Sequence, residues 1–184
     1  MILTKKRINV DRNVLTGVER VFLPHEIVVT KTDLKGHITY ANDVFVRLAG
    51  YPEDSLIGAA HSIIRHPHMP RGVFRLLWDT LKNGEEVFAY VLNRSMNGDH
   101  YWVLAHVTPS QDETGRMVGY HSNRRVADKR LLETSIQPLY AAMLREEAKH
   151  TNAQAAADAG MTYLSNVLEQ KGARYDEFIF SLMR

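Results

Sequence analysis

The sequence predicts an α+β fold: one five-stranded antiparallel sheet with small helices on one face and a helical tail. Three observations predict it. Two β-branched segments flank the turn Asp33-Leu34-Lys35-Gly36, and three longer ones follow Glu86 with short turns between them. Short helical segments fill the gap between the two groups. From Ala127 onward helix formers replace strand formers.

Composition sets the outer limits. A chain of 184 residues, 45% hydrophobic and 24% charged, can bury a core. A formal net charge of +2 offers no broad basic footprint, so nucleic acid is not an expected partner. The absence of cysteine excludes disulfides, thiolate-held clusters, thiol catalysis and photochemistry through a cysteine adduct. No apolar run approaches the ~20 residues needed to cross a bilayer. The opening "MILTKKRINVDRNV" lacks the apolar core of a secretory signal. A cytoplasmic protein without direct membrane insertion is expected, any membrane association coming through a partner.

The elements follow in order. Val14, Leu15, Val18, Val21 and Phe22 suggest a short amphipathic helix ending near Pro24. "EIVVT" and "HITYA" read as a hairpin around "DLKG". Asn42 or Asp43 caps a helix that Gly50 ends. Pro70 suits the first turn of a longer helix carrying Val73, Phe74, Leu76, Leu77, Trp78 and Leu81. "VFAYVLNRS" and "DHYWVLAHVTPS" join through Asn97-Gly98, a strong hairpin signal, and "RMVGYHSNRRV" forms the last strand. Both faces of Val87–Leu92 are apolar, so the sheet is covered on both sides, on the far face by flanking helices or a second subunit. In the tail, Pro138 breaks or kinks a helix. An alanine-rich helix runs from a Thr151 or Asn152 cap to Gly172, with an apolar stripe of Met161, Leu164, Val167 and Leu168. Tyr175, Phe178, Ile179 and Leu182 mark a last helix. These helices are too short and one-sided to stand alone; they fold back on the sheet or pair with a partner.

The stretch "HSIIRHPHMP" is the densest in chemistry. It sets His61, Arg65, His66 and His68 ahead of the apolar helix. Zinc fits poorly, because no acidic or thiol ligand lies near these histidines. Haem held by His66 or His68 is an alternative. A cofactor pocket is the third reading. No nucleophile and base stand at useful spacing, so no enzyme is expected.

With "TDLKGHITYAND", "GYPEDSLIG", "HSIIRHPHMP", "LWDTLKNGE" and "NRSMNGDHYWV" in place, the span from about Glu26 to Asp128 resembles the FAD-binding PAS domain of the aerotaxis-receptor type. The resemblance implies a PAS fold, non-covalent FAD and a report of redox, oxygen or energy state to the chemotaxis machinery. The chain shows no membrane anchor or signalling rod, so it is more similar to the separate, CetB-like energy-taxis proteins. These work with a membrane-bound signalling protein. A homodimer is also expected. Residues 1–25 then form an N-terminal cap, 26–128 the sensor domain and 129–184 a helical extension for signalling or partner binding. Carried onto this sequence, the motifs assign Asn42, His61, Arg65, His66, Trp78 and Asn93 to the cofactor. Asn93 can both donate and accept, which suits the edge of a flavin ring. A reversal of its hydrogen bonds on reduction would move the flanking helices or the dimer. Arg65 suits phosphate or ribose by charge and shape. Asn42 also serves as a helix cap and Trp78 as core. Two positions depart from the family pattern: His68 replaces an aspartate and Val87 a tryptophan. The competing reading is a cofactor-free interaction module whose pocket is filled by side chains.

Overall fold

Alternating burial along the strands builds one sheet with two covered faces. The structure, a computed structural model, describes residues 14–183. Five strands form it: β1 (Val28–Thr32), β2 (Ile38–Ala41), β3 (Val87–Arg94), β4 (His100–Gln111) and β5 (Met117–Val126). Their order is β2-β1-β5-β4-β3, and every neighbouring pair is antiparallel. This is the predicted α+β architecture. On β4, Tyr101, Val103, Ala105 and Val107 are buried and their neighbours less so. That period of two points one row of side chains to a single face. Asn97-Gly98 turns the β3–β4 hairpin; Gly98 takes φ 96, and among the described residues no non-glycine has positive φ.

The first face carries the small helices. α1 (Asp43–Ala49) starts at Asn42 and stops at Gly50, whose φ of 71 is open to glycine without a Cβ penalty. α2 (Glu53–Leu56) and a 3₁₀ turn (His61–Ile64) lead to α3 (Arg71–Lys82). Pro70 sits at the N-cap of α3.

The second face is covered by the tail of the chain itself. α4 (Lys129–Leu131) passes through a π turn (Leu132–Ile136) into α5 (Gln137–Glu147), with Pro138 in its first turn. Tyr140 of α5 packs near Trp102 and donates its hydroxyl to the Tyr90 carbonyl at 2.7 Å. α6 (Ala153–Lys171) runs from an Asn152 cap to Gly172, and α7 (Tyr175–Leu182) packs on β3. α6 does not join the back layer; it docks on α3 and α5.

The N-terminal expectation needs correction. Residues 14–24 form no helix. They run extended along the β3–β4 hairpin, with Thr16 N–H donating to the Gly98 carbonyl and Arg20 N–H to the His100 carbonyl. Arg20 explains the choice. Its guanidinium pairs with Asp99 and donates to the Arg47 and Leu48 carbonyls at the end of α1. These fixed partners outweigh a short helix's weak propensity. The rest of the expected helix lies outside the described residues.

Candidate functional site

Between the sheet and the 3₁₀–α3 layer lies a cavity of about 320 Å³. Small and β-branched residues on its floor, Ala105, Val107 and Val91, leave room where larger ones would fill it. Leu77, Trp78 and Leu81 of α3 form the opposite wall. Trp78 stands edge-on to Tyr120 with ring centroids 5.4 Å apart. The rim carries Arg65, Arg71 and Arg75, and Arg124 lies within. No aspartate or glutamate is among the described lining residues. Ala153 and Ala157 of α6 also line it, so the helical tail supplies one wall.

Four of the six sequence-assigned residues meet here: His61, Arg65, Trp78 and Asn93. Asn93 is 3% exposed, and its Nδ2 has no partner. Its backbone bridges to Arg65, which brings the 3₁₀ segment onto β3. The Arg65 guanidinium lies 4.3 Å from the Phe74 ring centre and donates to the Met69 carbonyl. Burial lowers its pKa. His61 Nε2 receives Arg124 Nη2 at 2.7 Å and lies 3.2 Å from Thr30 Oγ1. Burial first, and the Arg124 charge second, push His61 down to about 3. The ring is therefore neutral and accepts through Nε2.

Asn42 and His66 do not reach the cavity lining. Asn42 Oδ1 accepts from the Phe45 and Val29 N–H groups and its Nδ2 donates to the Ile27 carbonyl. Its amide is committed to tying α1 to β1. His66 is buried on the other side of the segment, beside His68 and His100. Its Nδ1 accepts from the His68 N–H, and burial pushes it down to about 4. His68 and Val87, the two departures from the family pattern, are also outside the lining. Among the described lining residues His61 is thus the one histidine, and its Nε2 is occupied by Arg124.

The sequence reading missed the polar groups on β5. Ser122 and Arg124 face the cavity, and both Ser122 Oγ and Arg124 Nη1 lack partners. Thr30 lines the cavity from β1, opposite Ser122 in register. The signal was present as the alternation Tyr120, Ser122, Arg124. It names one face of a strand but not which face.

Residues 38–124 match the family described as the PAS fold. The chain is 44% identical over 117 residues to the aerotaxis receptor of Escherichia coli, covering 63% of this chain and 22% of that protein. It is 28% identical over 99 residues to the nitrogen fixation regulatory protein of Klebsiella pneumoniae, covering 54% of this chain and 20% of that one. The chain thus spans about a fifth of these relatives. Among solved structures, the PAS domain of a Colwellia psychrerythraea protein gives a TM-score of 0.51 at 22% identity, covering 56% of this chain and 88% of that one. The light-state structure of the Aureochrome1 LOV photoreceptor gives 0.52 at 23%, covering 61% and 88%. These two likenesses bear on the fold. The strand order, the matched span and the solved structures agree: these residues have the PAS fold, and in sequence they are similar to the aerotaxis receptor.

Proposed function

We propose that this chain is a cytosolic PAS sensor that binds a flavin non-covalently, FAD in preference, and passes its redox state to a chemotaxis-type signalling partner. One observation carries the reading: Asn93 is buried on β3 in the cavity wall with its Nδ2 unpaired. A buried donor without a partner costs about 1–3 kcal/mol, which a ligand acceptor recovers. The rest of the lining fits a flavin. Trp78, Phe74 and Leu77 offer apolar walls for a flat ring. Arg65, Arg71 and Arg75 offer cations at the rim for phosphate. The cavity volume of about 320 Å³ is near the lower end of ligand pockets, ~300–1,000 Å³. It suits the ring system, with the remainder of a dinucleotide running out past the rim arginines.

When bound, the flavin supplies reversible electron and proton uptake. The protein's part is hydrogen-bond sense. The Asn93 amide can present nitrogen or oxygen to the ring edge, and reversing it moves strain into β3. Three residues along β3, the Tyr90 carbonyl is held by Tyr140 of α5. That bond links the strand under the ligand to the helical tail, the element through which a partner would be addressed.

The test is the visible spectrum of gently purified protein, with the released chromophore analysed after denaturation. Oxidised flavin's two broad bands, with FAD released, are expected. A protein that stays colourless after incubation with FAD and with flavin mononucleotide overturns the reading in favour of an interaction module. A sharp Soret band overturns it in favour of haem.

A further inference from the structure

We infer that Arg124 makes this cavity bind the reduced, negatively charged form of its ligand more tightly than the neutral, oxidised form. The inference rests on the flavin reading above and names the charge state that the site selects.

Arg124 lies mid-sheet on β5, between Val28 of β1 and Ala105 of β4 in register. It is 4% exposed. Its Nη2 donates to two neutral acceptors, Thr30 Oγ1 and His61 Nε2, each at 2.7 Å. Its Nη1 has no partner. Burial brings its pKa down to about 10, so the group stays charged at neutral pH. Among the described lining residues no carboxylate balances that charge. The Arg124 guanidinium carbon lies 5.6 Å from the Phe45 ring centre, a weaker partner than a carboxylate. The other described arginines of the lining differ in exposure or in their partners. Arg75 is paired with Asp79 and Asp158. Arg65 lies over Phe74 and reaches the Met69 carbonyl. Arg71 is exposed.

A buried, unpaired cation carries a large desolvation cost unless a negative group meets it. In this cavity that group is not part of the lining. The alanine at the paired position, Ala105, keeps the space beside the guanidinium open to a ligand. His61 cannot compensate, because it is neutral and already accepts from Arg124. The other unpaired polar atoms in the described wall are the Asn93 amide nitrogen, a donor, and the Ser122 hydroxyl, which can donate as well as accept. The described lining is therefore rich in donors and free of acids. Two electrons and one proton convert a neutral oxidised flavin ring into a singly negative reduced ring. The electrons come from a low-potential reductant, dithionite in the assay. The added charge enters the field of Arg124, and low polarizability around the cavity strengthens the attraction. A ligand without such charge leaves the cation uncompensated.

The experiment compares wild-type protein with Arg124→Gln, Arg124→Met and Arg124→Lys. Each is loaded with flavin, and a dithionite titration of bound against free flavin yields the ratio of reduced to oxidised affinity. A residue that only tied Thr30 to His61 would weaken both forms alike and leave this ratio unchanged. Arg124→Gln is expected to lower the ratio roughly 10- to 100-fold, the range of a charged hydrogen bond. Arg124→Lys, which keeps the charge, is expected to hold it near the wild-type value. Arg124→Met serves if the glutamine variant does not fold, since an apolar side chain of similar volume is tolerated where a buried ion was. An unchanged ratio in a flavin-loaded neutral variant overturns the role of Arg124 and leaves the flavin reading standing. Wild-type protein that takes up no flavin overturns both.

Discussion

Asn42 and Asn93 are the same residue type with opposite fates. Asn42 sits where a helix begins, and its amide is used up by the Phe45, Val29 and Ile27 backbone. Asn93 sits within a strand whose own backbone bonds are made by the ladder, so its amide is left for the cavity. Local sequence marks the first role well, because capping is set by the next three residues. The second depends on which strand face looks inward. Asp99 shows the same dependence on distant groups. Hydrogen bonds from Thr16, Asn97 and Arg20 hold its carboxyl down to about 2. The folded state therefore prefers the ionised form, which gives stability above the usual carboxylate pKa near ~4. That stability is lost as pH falls from about 4 towards 2. Asp99→Asn is expected to lower the melting temperature at pH 7. The gap to wild type should narrow as pH drops through this window in thermal melts; a gap constant with pH would remove the ion-pair account.

At the scale of elements, α6 departs most from its sequence pattern. The apolar stripe of Met161, Leu164, Val167 and Leu168 pointed to a helix that folds back on the sheet or pairs with a partner. Of that stripe only Leu164 is buried, and the other buried positions are the small residues Ala156 and Gly160, on the side that docks on α3 and α5. Small residues let two helix backbones come close: a Cβ on Gly72 would lie 2.6 Å from the Gly160 backbone. Glu147 completes the joint. Its carboxylate accepts from the Arg71 and Gly72 N–H groups at 2.9 Å, capping α3 where no side chain of its own N-cap does so. A Cβ on Gly160 would stand 2.2 Å from Glu147 Oε1. Gly160→Ala is therefore expected to destabilise by about 1–2 kcal/mol, although alanine favours helix by up to ~1 kcal/mol. Urea unfolding measures it; an unchanged or raised midpoint would show that α6 is not docked as described. Because Ala153 and Ala157 line the cavity, the same variant should loosen one wall of the ligand site.

At the scale of the molecule, the sheet needs both of its covers. Behind the cavity, Tyr90 and Leu92 are buried and Phe88, Trp102 and Leu104 pack against the same core. Phe88 meets Phe180 of α7, and Tyr140 of α5 binds the Tyr90 carbonyl. A chain ending at Asp128 would expose this face, an apolar area of the kind that drives association. Such a truncation is expected to aggregate or bind a hydrophobic dye, whereas the full chain does neither. A monomeric, dye-negative truncation would show that the tail is dispensable for folding. The tail is thus both a cover for the sheet and a wall of the cavity, and no helix among the described residues is long and apolar enough to cross a membrane.

Period and punctuation were readable from the chain alone. β-branched alternation, the Asn97-Gly98 turn, the Asn42 cap and the Gly50 and Gly172 stops located all five strands and most helices, because each is set by neighbours within a few residues. The motif around Arg65 and the position of Asn93 likewise pointed to four residues that do line one cavity. Other features depended on contacts across the fold. Residues 14–24 are extended because Arg20 finds Asp99 and the end of α1. His66 turns away from the cavity although it adjoins Arg65, since successive extended residues point to opposite sides. Arg124 lies 63 positions from His61, the ring it holds. Local propensity carries no information about such pairs; only the register of β5 between β1 and β4 brings them together.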